Sequence, residues 1–184
     1  LSPEIFSYIP ENRAVSIERE VFPKLAEEGT LYGYVYRGLW SDIGKPKDYM
    51  EINKTLLDSF ASQQLKTPER AEVKQPVTLD KRVSIGKNST VGPYAVLGRD
   101  VVVGDNALIQ DSVILKSTEI SDSVSIYGAV IGEGVFVGKG VKIGRGCIIG
   151  DHVRIKDNVK LAKEVSVCPA KEVSESVFAA KCIF

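Results

Sequence analysis

Aliphatic residues recur every six positions through the second half of this chain, and that period constrains the fold more than any other feature. The series runs Val73, Leu79, Ile85, Val91, Leu97, Val103, Ile109, Leu115, and then slips by one to Ile120. It continues to Ile126, slips again to Ile131, and runs through Val137, Ile143, Ile149, Ile155, Leu161 and Val167. Six residues are three strand periods of two, so every aliphatic in the series points to the same side. Glycine follows the aliphatic at Gly86, Gly92, Gly98, Gly104, Gly132, Gly138, Gly144 and Gly150, and a small or β-branched residue comes four later, as at Ser89, Ala107 and Cys147. Short strands joined by tight corners wind into coils, and stacked coils bury a column of aliphatics. Each such side chain contributes roughly 1.5–3 kcal/mol on burial.

The position three after the aliphatic holds Asn88, Asp100, Asn106, Gly134, Gly140, Gly146, His152 and Asn158. These residue types tolerate a positive φ, which a tight corner requires. About ninety residues of repeat predict roughly five coils of three faces. The slips, together with Gln110 and Lys116 at positions where glycine is usual, predict distorted coils near residues 116–130. The apolar tail VSESVFAAKCIF is suited to cap a coil or to pack on a neighbour.

Residues 1–60 have a different texture, a mixed α/β one. Ser2-Pro3-Glu4 reads as a helix start, with Pro at the first helical position. Ser16 can cap a second helix whose Ile17, Val21 and Leu25 share a face, with Gly29 as its stop and Pro23 an irregularity near its start. Leu31–Tyr36 (LYGYVY) has strand character. Tyr49, Ile52, Leu56 and Phe60 mark an amphipathic helix beginning near Pro46. So short an α/β segment buries too little surface to make a good core by itself. Residues 61–72 are polar and aperiodic and are taken as a linker, which leaves 73–184 as the coil domain with its tail.

Composition excludes several function classes. Lys+Arg and Asp+Glu both number 24, so the basic excess of a nucleic-acid-binding surface is missing. No apolar run approaches the roughly 20 residues of a membrane-spanning helix. Cys147, Cys168 and Cys182 are an odd, widely spaced set, and the chain has one histidine, so neither a disulfide framework nor a Cys/His zinc site is expected. Reduced thiols and a cytoplasmic location follow as the expectation.

The hexad closely resembles the left-handed parallel β-helix of hexapeptide-repeat proteins. The stretch SIEREVFPKLAEEGTLYGYVYRGLWSDIGKPKDYMEIN resembles the end of the catalytic domain of sugar-1-phosphate nucleotidyltransferases, from about Leu1 to Asn53. Many members of that family carry such a β-helix after a linker. Its E-R-E-V-F-P and W-x-D-I-G-x-P-x-x-Y runs look most like mannose-1-phosphate guanylyltransferases and their glucose-1-phosphate relatives. The implied fold is a mainly β, left-handed β-helix preceded by an α/β remnant of the catalytic domain. The implied chemistry transfers a nucleotidyl group from a nucleoside triphosphate to a sugar 1-phosphate.

In that family the aspartate of the W-x-D-x-G motif is a Mg²⁺ ligand, and Asp42 stands there. An aspartate at such a corner also serves turn or capping hydrogen bonds. Trp40 is either packing or a wall of the substrate site. Arg13, Glu18 and Glu20 are candidate substrate contacts, each with an ordinary alternative: a solvated arginine, or acids favoured by a helix N-terminus. The family's glycine-rich G-x-G-T-R-L-x-P loop, its other metal-binding aspartate and its E-K-P-type sugar contact have no counterpart in residues 1–60. The chain begins at Leu1, so a fragment that is inactive alone is the expectation. Two further expectations concern the β-helix. It can act as a homo-oligomerising module, or, as in other hexapeptide proteins, as an acyl-CoA-dependent sugar N-acetyltransferase. His152 would be the base for that second chemistry, although its corner position accounts for it by backbone conformation alone.

Overall fold

The computed structural model describes residues 1–59 and 70–184, and most of the expected linker 61–72 lies outside them. The chain divides into two compact units, Leu1–Trp40 and Ser41–Phe184.

The larger unit is the left-handed parallel β-helix. Its strands form three parallel sheets of six, seven and six strands, so it has six coils, one more than the length of the repeat suggested. The first sheet starts at Glu72–Val73, the second at Val77–Leu79 and the third at Ser84–Ile85. Hydrogen bonds run from coil to coil: Ser84 N donates to Val101 O at 3.0 Å and Gly86 N to Val103 O at 2.8 Å. Leu97, Ile109, Ile120, Ile126, Ile131, Ile149 and Ile155 are buried in one continuous column. The small slots fill the space between, and where they carry a hydroxyl it bridges coils. Ser89 Oγ donates to Gly104 O at 2.7 Å and accepts from Ala107 N at 2.9 Å. Cys147 does the same with sulfur, its Sγ 2.9 Å from Ala162 O, and burial pushes its thiol pKa up.

The corners behave as the residue types require. Asn88, Asp100, Asn106, His152 and Asn158 all have φ between 56° and 61°, and Gly134, Gly140 and Gly146 are also left-handed. The glycines after the aliphatics serve a different purpose. The residue following such a glycine donates its N–H to an aspartate of the next coil: Lys87 to Asp105 at 2.7 Å, Glu133 to Asp151 and Lys139 to Asp157 at 2.8 Å. A Cβ on Gly132 would come within 2.7 Å of Asp151 N, so a side chain there would push the aspartate off its donor.

Most coils repeat every 18 residues, as from Thr90 to Leu108, but the step from Leu108 to Ser125 and that from Ser125 to Lys142 are 17. The first slip differs from the expected one. Ile114, not Leu115, takes the interior place and is fully buried, so the missing residue falls between Ile109 and Ile114. The second falls between Ile126 and Ile131, as expected. Both deletions lie at the same edge of the prism, where the first sheet turns into the second, at Asp111 and Gly128. The tail caps the last coil: Val177 bridges to Leu161, Cys182–Ile183 pairs with Ser166–Val167, and Val177 and Ile183 pack on the core.

In the smaller unit Pro3–Tyr8 is a 3₁₀ turn. The second helix begins irregularly, as Pro23 foretold: Ile17–Val21 is a π turn that leads into α1 (Phe22–Glu27). Ser16 does not cap it with its hydroxyl; its backbone N–H instead donates to Glu20 Oε1 at 3.3 Å. Leu31–Tyr36 forms no strand, contrary to its composition. A strand needs a hydrogen-bonded neighbour, none of the described residues supplies one, and Tyr32, Tyr34 and Tyr36 stand exposed.

α2 (Pro46–Ser59) starts where expected, with Asp48 Oδ2 accepting the Lys45 N–H at 2.9 Å. Tyr49 and Ile52 of the expected inward face are half-buried, Phe60 lies outside the described residues, and the difference is in the last turn. Leu57, 5% exposed, is inside and Leu56 is outside.

Replacing Ile131 by alanine should cost about 2–5 kcal/mol, because stacked coils cannot close around the cavity. Lys160→Ala, on an outward strand position, should cost less than about 0.5 kcal/mol. Chemical denaturation of the two variants checks the contrast.

Candidate functional site

Two places bring functional side chains together, one in each unit. In the smaller unit Arg13 Nη2 donates to Glu20 Oε2 at 2.6 Å, and this contact holds the Glu20 carboxyl below its ordinary range. With Tyr8, Val15 and Lys24 they line a depression of about 300 Å³. The Tyr8 hydroxyl donates to Glu28 Oε2 at 2.7 Å, and that carboxylate pushes the phenol pKa up. Arg13 and Glu20 therefore meet each other, which accounts for both without a substrate. Glu18 is exposed and stands apart from that pair. Trp40 is 78% exposed among the described residues.

Asp42 is exposed as well, and the described residues contain no group of three or more His, Cys, Asp and Glu able to hold a metal. A lone carboxylate does not make a Mg²⁺ centre, since the ion needs several further oxygens. The residues present do not by themselves fit the ion that the W-x-D-x-G resemblance implies.

The second place is the surface of the β-helix under α2. Outward positions of the second sheet carry Val96, Val113, Val130 and Ile148, each just before an interior residue. The other sheets present mostly polar residues outward, such as Glu72, Thr90, Lys142 and Lys160 on the first. An apolar outer face needs cover. α2 supplies it, and the outward Val113 is only 3% exposed. The signal was present in the sequence as aliphatic doublets (Val96-Leu97, Val113-Ile114, Val130-Ile131, Ile148-Ile149), one on every third strand.

The helix is fastened along a row of left-handed corners: Tyr94, Asp111, Gly128, Gly146 and Glu164. Lys54 Nζ lies 5.2 Å from the Tyr94 ring centre and 3.0 Å from Asp111 Oδ1. Asp58 beside the Tyr94 hydroxyl pushes that phenol pKa up. Arg145 reaches the same Asp111 from the other side, its Nη2 3.0 Å from Oδ2 and 2.6 Å from the Tyr127 hydroxyl, with the guanidinium stacked 4.6 Å from that ring. The Tyr127 bond and Asp111 raise the arginine pKa further. Beyond Asp111 the row loses its side chains at Gly128 and Gly146, and a groove of about 420 Å³ opens between α2 and the coils.

His152 lies on a different corner, exposed, with φ of 58°. No described carboxylate or carbonyl is bonded to its ring to orient it as a base, and the acetyltransferase reading gains nothing from it.

A family model described as the GMPPB C-terminal domain matches residues 73–183. The chain belongs to this family. Among curated relatives, a probable mannose-1-phosphate guanylyltransferase 3 of Arabidopsis thaliana is 46% identical over 69 residues, 38% of this chain and 20% of that protein. A mannose-1-phosphate guanyltransferase of Saccharomyces cerevisiae is 42% identical over 66 residues, 36% of this chain and 18% of that protein. The chain thus spans about a fifth of the length of these relatives. A hexapeptide transferase family protein from Anaplasma phagocytophilum shares the fold, with a TM-score of 0.50, 21% identity, 61% of this chain and 74% of that one.

Placing a charge under α2 tests its docking. Val113→Asp should speed amide exchange over residues 46–59 by at least about tenfold while the coil amides stay protected. Unchanged exchange would show that the helix does not depend on this face.

Proposed function

We propose that this chain works as part of a sugar-1-phosphate nucleotidyltransferase, with mannose 1-phosphate and GTP as the substrates its relatives' names suggest and glucose 1-phosphate as the second choice. The observation that carries the reading is the segment Tyr32–Gly44, which bears the W-x-D-x-G residues and leaves Tyr32, Tyr34, Val35, Leu39, Trp40 and Ile43 exposed, in a chain whose residues 73–183 match this family. Exposed apolar surface of this kind marks an interface, and a central sheet of a catalytic domain is the partner that LYGYVY lacks.

In this reaction an oxygen of the sugar 1-phosphate attacks the α-phosphate of the triphosphate and pyrophosphate leaves. Mg²⁺, when bound, neutralises charge on the phosphate oxygens. Asp42 is proposed to give one carboxylate to that ion in the complete enzyme, the remaining ligands coming from outside this chain. The enzyme is read as cytoplasmic. No described helix is long and apolar enough to cross a membrane.

Asp42→Asn in the full-length enzyme should lower pyrophosphate release from GTP and mannose 1-phosphate by about 10²-fold or more. The 184-residue chain alone should give none. A near-normal rate for the variant would remove Asp42 from the reaction.

The β-helix is further proposed to join copies of the protein, since Val102 and Leu108 on its outer faces and Phe178 and Phe184 in its tail are exposed. Light scattering on a sizing column should give a multiple of 20.1 kDa. A purely monomeric peak across the micromolar range would end that reading.

A further inference from the structure

The groove between α2 and the corner row is built like a binding site. Val130 and Ile148 of the coils make its floor aliphatic, and Met50 of α2 faces the groove from the other side. Its volume of about 420 Å³ lies in the range that holds small ligands. The recorded bonds of Arg145 all fall on Nη2, so among the described residues Nη1 and Nε have no partner. Tyr127 and Asp111 meanwhile fix the plane of the guanidinium, which removes most of the ordering cost of binding an anion.

Gly128 makes this possible. The arginine side chain crosses directly over it, its Cγ 2.9 Å from where a Cβ would stand. The guanidinium is thereby carried back to the level of Tyr127 and Asp111. Glu164, at the far end of the groove, sits two rungs beyond Gly128, because Gly146 N bonds to Gly128 O and Glu164 N to Arg145 O. Its side chain leans back along the groove, with Cγ 3.1 Å from where a Cβ on Gly146 would stand. The Glu164 carboxylate has no bonded partner among the described residues, whereas Lys47 and Glu51 satisfy each other at 3.6 Å and Lys54 is engaged by Asp111.

An anion receptor, an apolar floor and a lone carboxylate at the far end of the groove describe a molecule with a phosphate at one end, a planar ring between and N–H donors at the other. We propose that the groove binds a nucleoside 5′-phosphate, with the phosphate on Arg145, the ring on Val130 and Ile148, and the base edge on Glu164. Guanine is the base that fits, because its ring N–H and adjacent amino group present two parallel donors to one carboxylate. A sugar phosphate would leave the floor unused and set hydroxyls against it. The site belongs to this chain and does not depend on the proposed transfer reaction.

Calorimetry on the 184-residue chain tests it, with guanosine 5′-monophosphate, adenosine 5′-monophosphate, mannose 1-phosphate and inorganic phosphate as separate probes at one ionic strength. Guanosine monophosphate should bind at a single site, at least about tenfold tighter than each of the others. Arg145→Ala should weaken it by about tenfold or more, Arg145→Lys should restore little because the fork is lost, and Glu164→Ala should reduce guanosine monophosphate to the level of the adenosine compound. Melting temperatures within a few degrees of the parent would show all three variants folded. No saturable binding, equal affinity for inorganic phosphate or the adenosine compound, or indifference to Arg145→Ala would each overturn the proposal.

Discussion

Coil-to-coil hydrogen bonding is the constraint on which the rest of this structure depends. Each strand of the β-helix is two or three residues long and has no hairpin partner, so its backbone groups must be met by the coils on either side. That requirement fixes the length of a coil, because a residue must return to the same level after one circuit. It also makes stacking indifferent to which aliphatic fills a given interior place, as long as one does. Leucine, isoleucine and valine interchange along the column, whereas the corner residues, which set the length, are confined to types that accept a left-handed backbone.

The same requirement explains where a coil can be altered. A strand cannot lose a residue without turning its interior side chain outward. A corner can, provided the next coil follows suit. The two 17-residue steps are shortened at one edge, at Asp111 and again at Gly128, and this is the edge along which α2 is fastened. Shortening brings Asp111 to where both Lys54 and Arg145 reach it. An isolated exposed ion pair is worth little, but here a carboxylate shared by two cations sits beside two aromatic rings and an apolar face covered by the helix.

The β-helix was legible because its information is local and repeated: one aliphatic in six, a corner residue three later, a glycine where the next coil presents an aspartate. The parts that were misread are those in which tertiary contact overrides local pattern. LYGYVY has strand composition and no partner among the described residues, and composition does not bring one. In α2 Leu56 and Leu57 are equally apolar neighbours, and tertiary packing rather than local pattern puts the second inside. Leu115 and Ile114 are equally aliphatic neighbours, and only the pairing of Leu97 with Ile114 places the second inside.

Site residues were harder to find for a related reason. Asp42 and Trp40 were singled out by a motif, and both are exposed among the described residues. Arg13 and Glu20 were singled out by chemical type and turned out to satisfy each other. Arg145, Asp111, Tyr127 and Glu164 belong to four different coils and attracted no notice as a sequence, although the shortened register that unites them was visible. In a solenoid the residues of a site lie one coil apart along a single edge. A reading at intervals of 17 or 18, rather than of six, lines up Tyr94, Asp111, Gly128, Gly146 and Glu164, and shows in one row where the helix is held and where the groove begins.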